Sequence, residues 1–159
     1  MKPVAIIVSI LLSVLPLLAE SAASAVAPEA SSPPGSTRLG VRDTRFTLNG
    51  APTFLYGLSM YGALGAPDQQ LLADLDRAKS LSVNWVRVWA TWSGFDNDVS
   101  AVNADGSPRE PFLAKLCWLV AECDRRGIVV DVTLSRGNSV AGKAPIEELP
   151  AHQKAVETL

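Results

Sequence analysis

The seven residues Val83-Asn84-Trp85-Val86-Arg87-Val88-Trp89 decide how this chain is read. β-Branched and aromatic side chains dominate the run, so it favours an extended strand, and it is β-prone on both faces, as in strands covered on both sides in a parallel sheet. Strand alternation divides it: Trp85, Arg87, Trp89 and then Thr91 share one face, and Asn84, Val86 and Val88 the other. The valine face suits a layer of helices. An arginine on the opposite face is tolerable inside a fold only when a carboxylate or another acceptor meets it. Arg87 is therefore either half of an internal ion pair or a functional group held in a polar site.

Working outward, the residues before the strand recur at helical spacing. Leu71, Leu75 and Ala78 form a stripe that Leu72 and Leu81 widen, and Asp68 can cap the helix they predict. Further upstream, Arg45–Leu48 and Thr53–Tyr56 are short β-rich runs around Asn49-Gly50, a dipeptide suited to a tight hairpin turn. Pro52 fits the start of the return strand, where its missing N–H costs little. The second run continues through Gly57 to Tyr61 and dissolves into a loop with Gly62, Gly65 and Pro67.

Downstream, Phe95 to Glu110 is polar and long for a connection, and such loops are often functional. Pro111 opens a second helix with Phe112, Leu116, Leu119, Val120 and Cys123 facing inward and Glu122, Asp124, Arg125 and Arg126 in water. Gly127 ends it. Ile128 to Leu134 reads as a third buried strand, Ser135 to Pro145 as a loop, and Ile146 to Leu159 as the start of another helix near Pro150.

The order is hairpin, β, α, β, α, β, α, which implies a parallel sheet of the α/β class. Its two regular solutions are a doubly wound open sheet and a (β/α)8 TIM-type barrel. No Gly-rich phosphate loop follows any strand, so nucleotide binding loses ground. Three βα units reach about half of the ~250 residues a barrel needs. On the barrel reading the chain is a partial barrel: the N-terminal hairpin and the first three βα units.

Composition narrows the function further. The 159 residues are 48% apolar and carry 14 basic against 16 acidic side chains, a net charge of −2 that offers nucleic acid no basic field. Val4 to Leu18 is apolar except for Ser9, Ser13 and Pro16, follows Lys2 and precedes Ala23-Ser24-Ala25. Residues 1–25 therefore read as a secretory signal, too short and interrupted for a comfortable transmembrane span. Residues 26–37 read as an Ala/Ser/Pro-rich tether and 38–159 as the folded region, exported to the periplasm or medium and free of the membrane after cleavage. Cys117 and Cys123 are about 9 Å apart along one predicted helix, too far to bridge, and both are expected to be buried. His152 is the sole histidine, so no metal site or cofactor is expected.

Tyr61, Trp89, Trp92 and Phe95 gather at the C-terminal ends of strands, where aromatic faces can pack on the C–H faces of sugar rings or fill the core. Asp131 and Thr133 share a face of the third strand, followed by Ser135, Arg136 and Asn138. Asp131 either partners an arginine or adjusts a hydrogen-bond network. A general acid/base role would require a second carboxylate at a set separation, and no such pair can be nominated. Asp96, Asp98 and Asp105 fall in the polar loop, and Asp96-Asn97-Asp98 lacks the glycine and distal glutamate of a calcium loop.

Phe46 to Gly57, Asn84-Trp85-Val86-Arg87-Val88-Trp89 and Arg126 to Val132 together resemble the N-terminal half of the clan A glycoside hydrolases, most nearly the cellulase and β-mannanase type called family 5. The resemblance spans about Thr44 to Leu134. It implies a (β/α)8 barrel and retaining hydrolysis of β-linked poly- or oligosaccharides by two glutamates, both of which would fall beyond Leu159. No catalytic residue is then present. Arg87 matches the arginine that hydrogen-bonds the nucleophile, with Asp131 and Thr133 in supporting positions and Tyr61, Trp89, Trp92, Arg136 and Asn138 as the candidate substrate contacts. Thr133 stands where many relatives carry His. Ser82 stands where the helix often ends in Gly, at a cost of about 1 kcal/mol if the backbone is left-handed there. The expected function is that of a secreted glycoside hydrolase fragment, inactive alone. The rival is a non-catalytic carbohydrate-binding or interaction module using Tyr61, Trp89 and Trp92.

Overall fold

The computed structural model describes residues 36–94, 97–134, 146 and 148–159, and the backbone of 138–139 and 142–143. The expected signal, almost all of the tether, Phe95, Asp96, Ser135 and Arg136 lie outside the described residues.

The chain opens with three short antiparallel strands, β1 (Leu39–Arg42), β2 (Arg45–Leu48) and β3 (Ala51–Pro52), in the order β1-β2-β3. Asn49 and Gly50 take φ of 50° and 79° and set Leu48 opposite Ala51, the tight turn expected of that dipeptide. The return strand is shorter than the sequence suggests and β1 is an addition to it. After the Thr53 N–H bonds the Phe46 carbonyl, the backbone leaves β2 and is taken over by Asn84. The Asn84 amide accepts from the Tyr56 N–H and donates to the Phe54 carbonyl. One side chain thus replaces the ladder across 53–56.

The βα alternation follows. Strand β4 (Gly57–Met60) leads through a 3-10 turn at Ala63–Gly65 into α1 (Asp68–Ser80), then β5 (Trp85–Trp89). A small hairpin, β6 (Ser93–Gly94) and β7 (Asn97–Asp98), precedes α2 (Phe112–Arg125) and β8 (Val129–Thr133). Strands β9 (Asn138–Ser139) and β10 (Gly142–Lys143) pair antiparallel before α3 (Leu149–Thr158). The main sheet is β4-β5-β8, parallel at both junctions, with a free edge on β4 and on β8 among the described residues. It is an α/β fold with an open parallel sheet.

The helices cover one face of that sheet. Leu71, Leu75 and Ala78 of α1 and Leu116, Leu119 and Cys123 of α2 close over Val86 and Val88, which have 0% exposure. The burial of these apolar side chains supplies the main driving force for this half of the fold. Burial also pushes the Cys123 thiol up to about 11, so it behaves as a small apolar side chain.

Several details differ from the periodicity. Leu81 is exposed, because α1 ends at Ser80 and Ser82 turns the chain with φ 61°. Asp68 is the first helical residue after Pro67 rather than the cap, and its carboxylate pairs with Lys115. On α2 the buried arc is displaced toward α1: Glu122 is buried, while Val120 and Cys117 are exposed. Glu122 is tolerated there because Arg125 and Arg126 both meet its carboxylate, and Arg126 continues to Asp76 of α1 at 2.7 Å. The Arg126 hydrogen bonds hold the Glu122 carboxyl below the ordinary carboxylate range. The polar loop is also more closed than its composition suggests: Val99, Ser100, Ala101 and Val102 are buried, with the Ala101 N–H on the Ala90 carbonyl at 2.7 Å.

Candidate functional site

The face of the sheet turned away from the helices is layered by register. Gly57, Trp85 and Val129 lie in one row, Ser59, Arg87 and Asp131 in the next, and Trp89 and Thr133 in the row nearest the C-terminal ends of the strands. A Cβ on Gly57 would come within 2.2 Å of the Trp85 carbonyl and ring, so only glycine lets β4 lie beside that residue.

In the middle row the Arg87 Nε and Nη2 each lie 2.9 Å from Asp131 Oδ2. The Thr133 hydroxyl donates to Asp131 Oδ1 at 3.0 Å. Both carboxylate oxygens therefore have partners, and the guanidinium lies over the Trp85 ring at 5.4 Å from its centroid. Arg87 and Asp131 keep 43% and 32% of their side-chain surface exposed, so the pair contributes at most about 1 kcal/mol to stability. Its consequence is geometric. Asp131 holds the guanidinium flat between two strands with its outer side turned to solvent.

Above this row Trp89 donates its indole N–H to the Ser59 hydroxyl at 3.2 Å, and the Tyr61 ring stands 5.2 Å from the Trp89 ring at 35°. Tyr61 is 63% exposed. Trp92 differs: it packs against the core, and its ring runs along the backbone of Gly62, whose Cβ would lie 3.5 Å from it. Arg136 lies outside the described residues. Asn138 lies in β9, paired through its backbone with Lys143. The structure thus brings together Tyr61, Arg87, Trp89, Asp131 and Thr133, and adds Ser59 and Trp85. Ser59 shares its row with Arg87 and Asp131, and Tyr61 follows it two residues later, just past the end of β4.

The loop carboxylates are engaged elsewhere. Asp98 pairs with Arg109 at 3.2 Å and accepts from the Ser100 N–H. Asp105 accepts from the Ser107 hydroxyl and N–H and from Lys154 at 2.9 Å, contacts that hold it well below the ordinary carboxylate range. Among the described residues no three His, Cys, Asp or Glu side chains converge as a metal site, and no helix is long and apolar enough to cross a membrane. What the open face offers is a polar row of Ser, Arg and Asp beneath two aromatic rings. Such a surface can bind a ligand with both hydroxyls and C–H faces, and Asp131, the carboxylate within it, is fully committed to hydrogen bonds.

No protein-family profile matches the sequence, and none of the curated proteins matches it. Solved structures do. The crystal structure of a glycoside hydrolase family 5 mannosidase from Rhizomucor miehei superposes with a TM-score of 0.55 at 18% identity over 69% of this chain. A variant of that enzyme in complex with mannosyl-fructose gives 0.55 at 16% identity, and another variant 0.53 at 16%. The chain spans about 30% of the length of each of these structures. What the open sheet of this protein shares with them is the fold of one part of a family 5 glycoside hydrolase.

Proposed function

We propose that the chain is the N-terminal part of a family 5 glycoside hydrolase barrel, its hairpin and first three βα units, and that the open face of β4, β5 and β8 is part of a binding site for β-linked poly- or oligosaccharide. The observation that carries this reading is the row Ser59-Arg87-Asp131 beneath Tyr61 and Trp89, at the C-terminal ends of parallel strands. Loops at that end of such barrels hold the ligand. In this reading a pyranose packs a C–H face on the two rings while its hydroxyls meet the polar row. Arg87, held in place by Asp131, presents its outer side to a carboxylate supplied from the rest of the barrel, where retaining hydrolysis needs two carboxyl groups about 5 Å apart. The short region 1–25 directs export. The mannosidase structures favour a mannose-containing substrate.

The test is to incubate the 159-residue chain with β-mannan and carboxymethylcellulose beside a version extended through the reading frame downstream of Leu159. The extended protein hydrolyses one of the two polymers and the short chain neither. Equal hydrolysis by the short chain would contradict the proposal.

A further inference from the structure

The Trp89 indole sits at the C-terminal end of the central strand β5, half buried, and its backbone alone leaves its ring angle unfixed. Its contact to β4 fixes that angle. Ser59 is in register with Arg87, one row below Trp89, so an indole N–H that reaches Ser59 Oγ must lean back across the β4–β5 boundary and over the polar row. The same lean brings the ring to 5.2 Å and 35° from Tyr61, which rises from β4 two residues beyond Ser59. A hydroxyl that accepts from an indole still has its own proton to donate. From this geometry we infer that Ser59 is a positioning residue: its hydroxyl holds the Trp89 indole at the angle at which Trp89 and Tyr61 form a two-ring platform for the C–H face of a pyranose beside Arg87. The inference deepens the proposed function and rests on it.

Ser59 itself contributes little to the fold, being exposed at a strand edge, so its effect is to be sought in ring order and sugar affinity rather than in stability. The chain, 15N-labelled, is titrated with β-1,4-mannohexaose and with cellohexaose, and hydrogen exchange at the Trp89 indole N–H is followed alongside. The variants are Ser59→Val, which keeps the bulk of threonine without the acceptor, Ser59→Thr, which restores it, and Ser59→Ala as a smaller deletion should valine disturb the strand. The expected result is sugar binding by the wild type, with Ser59→Val and Ser59→Ala binding about five-fold more weakly, corresponding to one lost hydrogen bond. Indole exchange is faster in both, Ser59→Thr behaves as wild type, and the thermal midpoint is unchanged. Wild-type affinity in the variants lacking the hydroxyl, or an equal loss in the threonine variant, overturns the role of Ser59 and leaves the site reading standing. A wild-type chain that binds neither hexaose overturns both.

Discussion

The two faces of β5 were built from adjacent residues and ended in opposite states. Val86 and Val88 are sealed under α1 and α2 with 0% exposure, whereas Arg87 between them keeps 43% of its side-chain surface open. The sealed face is closed over β5 by α1 and α2, while Leu58 of β4 and Val132 of β8, in register with Val86 and Val88, stay 40% and 39% exposed. The open face carries the arginine, the aromatic pair and the hydroxyls, and its polar groups are held by partners one strand away. Stability therefore resides on one face and the proposed recognition on the other, and substitutions should sort by face.

The largest expected effect is on the sealed face. Leu119→Ala empties a fully buried position and should cost about 3 kcal/mol in urea unfolding, while Arg87→Ala, on the open face of β5 with 43% of its side chain exposed, should cost under about 1 kcal/mol. Equal costs would break the division. Next is Gly106, which has φ 81° and would place a Cβ 2.2 Å from the Ala151 carbonyl of α3. Gly106→Ala should destabilise by about 2 kcal/mol and release α3 first, seen as faster amide exchange at Ala155 than at Val86. Ser82→Gly runs the other way: the serine stands at φ 61°, so glycine should raise stability by about 1 kcal/mol. The smallest effect is the pH dependence of Glu122. Its folded pKa is lowered, so its contribution is full above the ordinary carboxylate range and is lost as pH falls through the folded value. Wild type and Glu122→Gln should differ most near neutral pH and converge below about pH 4. A gap that widens in acid would contradict the Glu122–Arg126 pairing.

Much of the sealed face was legible because its signals are local. Leu71, Leu75 and Ala78 repeat at helical spacing, Gly127 stops α2 with φ 67°, and alternation alone separated Val86 and Val88 from Arg87. The failures came where partners distant in sequence decide. Glu122 is buried because Arg126 and Asp76 meet it, and residues 53–56 leave the hairpin because Asn84 captures their backbone. The loop segment Val99–Val102 is covered although its neighbours are polar, since the Ala101 N–H bonds the Ala90 carbonyl, Val99 and Ala101 join the main core, and Val102 packs beside Ile146 and Ala155. On the open face, strand parity gave Arg87, Trp89, Asp131 and Thr133 but not the register that joins them. Trp92 looked equivalent to Trp89 by spacing, and only its packing along Gly62 separates the two. Ser59 carries no composition signal, and its contact with Trp89 follows from the neighbouring strand.

The central claim is that the open face is a sugar-binding surface, and a chemical-shift map of the labelled chain with β-1,4-mannohexaose tests it most directly. Shifts concentrated at the Tyr61 backbone amide and at the Arg87 and Trp89 side-chain N–H groups, with the amides of Val86, Val88 and Leu119 unmoved, are the predicted result. Shifts confined to the helical face, or none at saturating sugar, would contradict it.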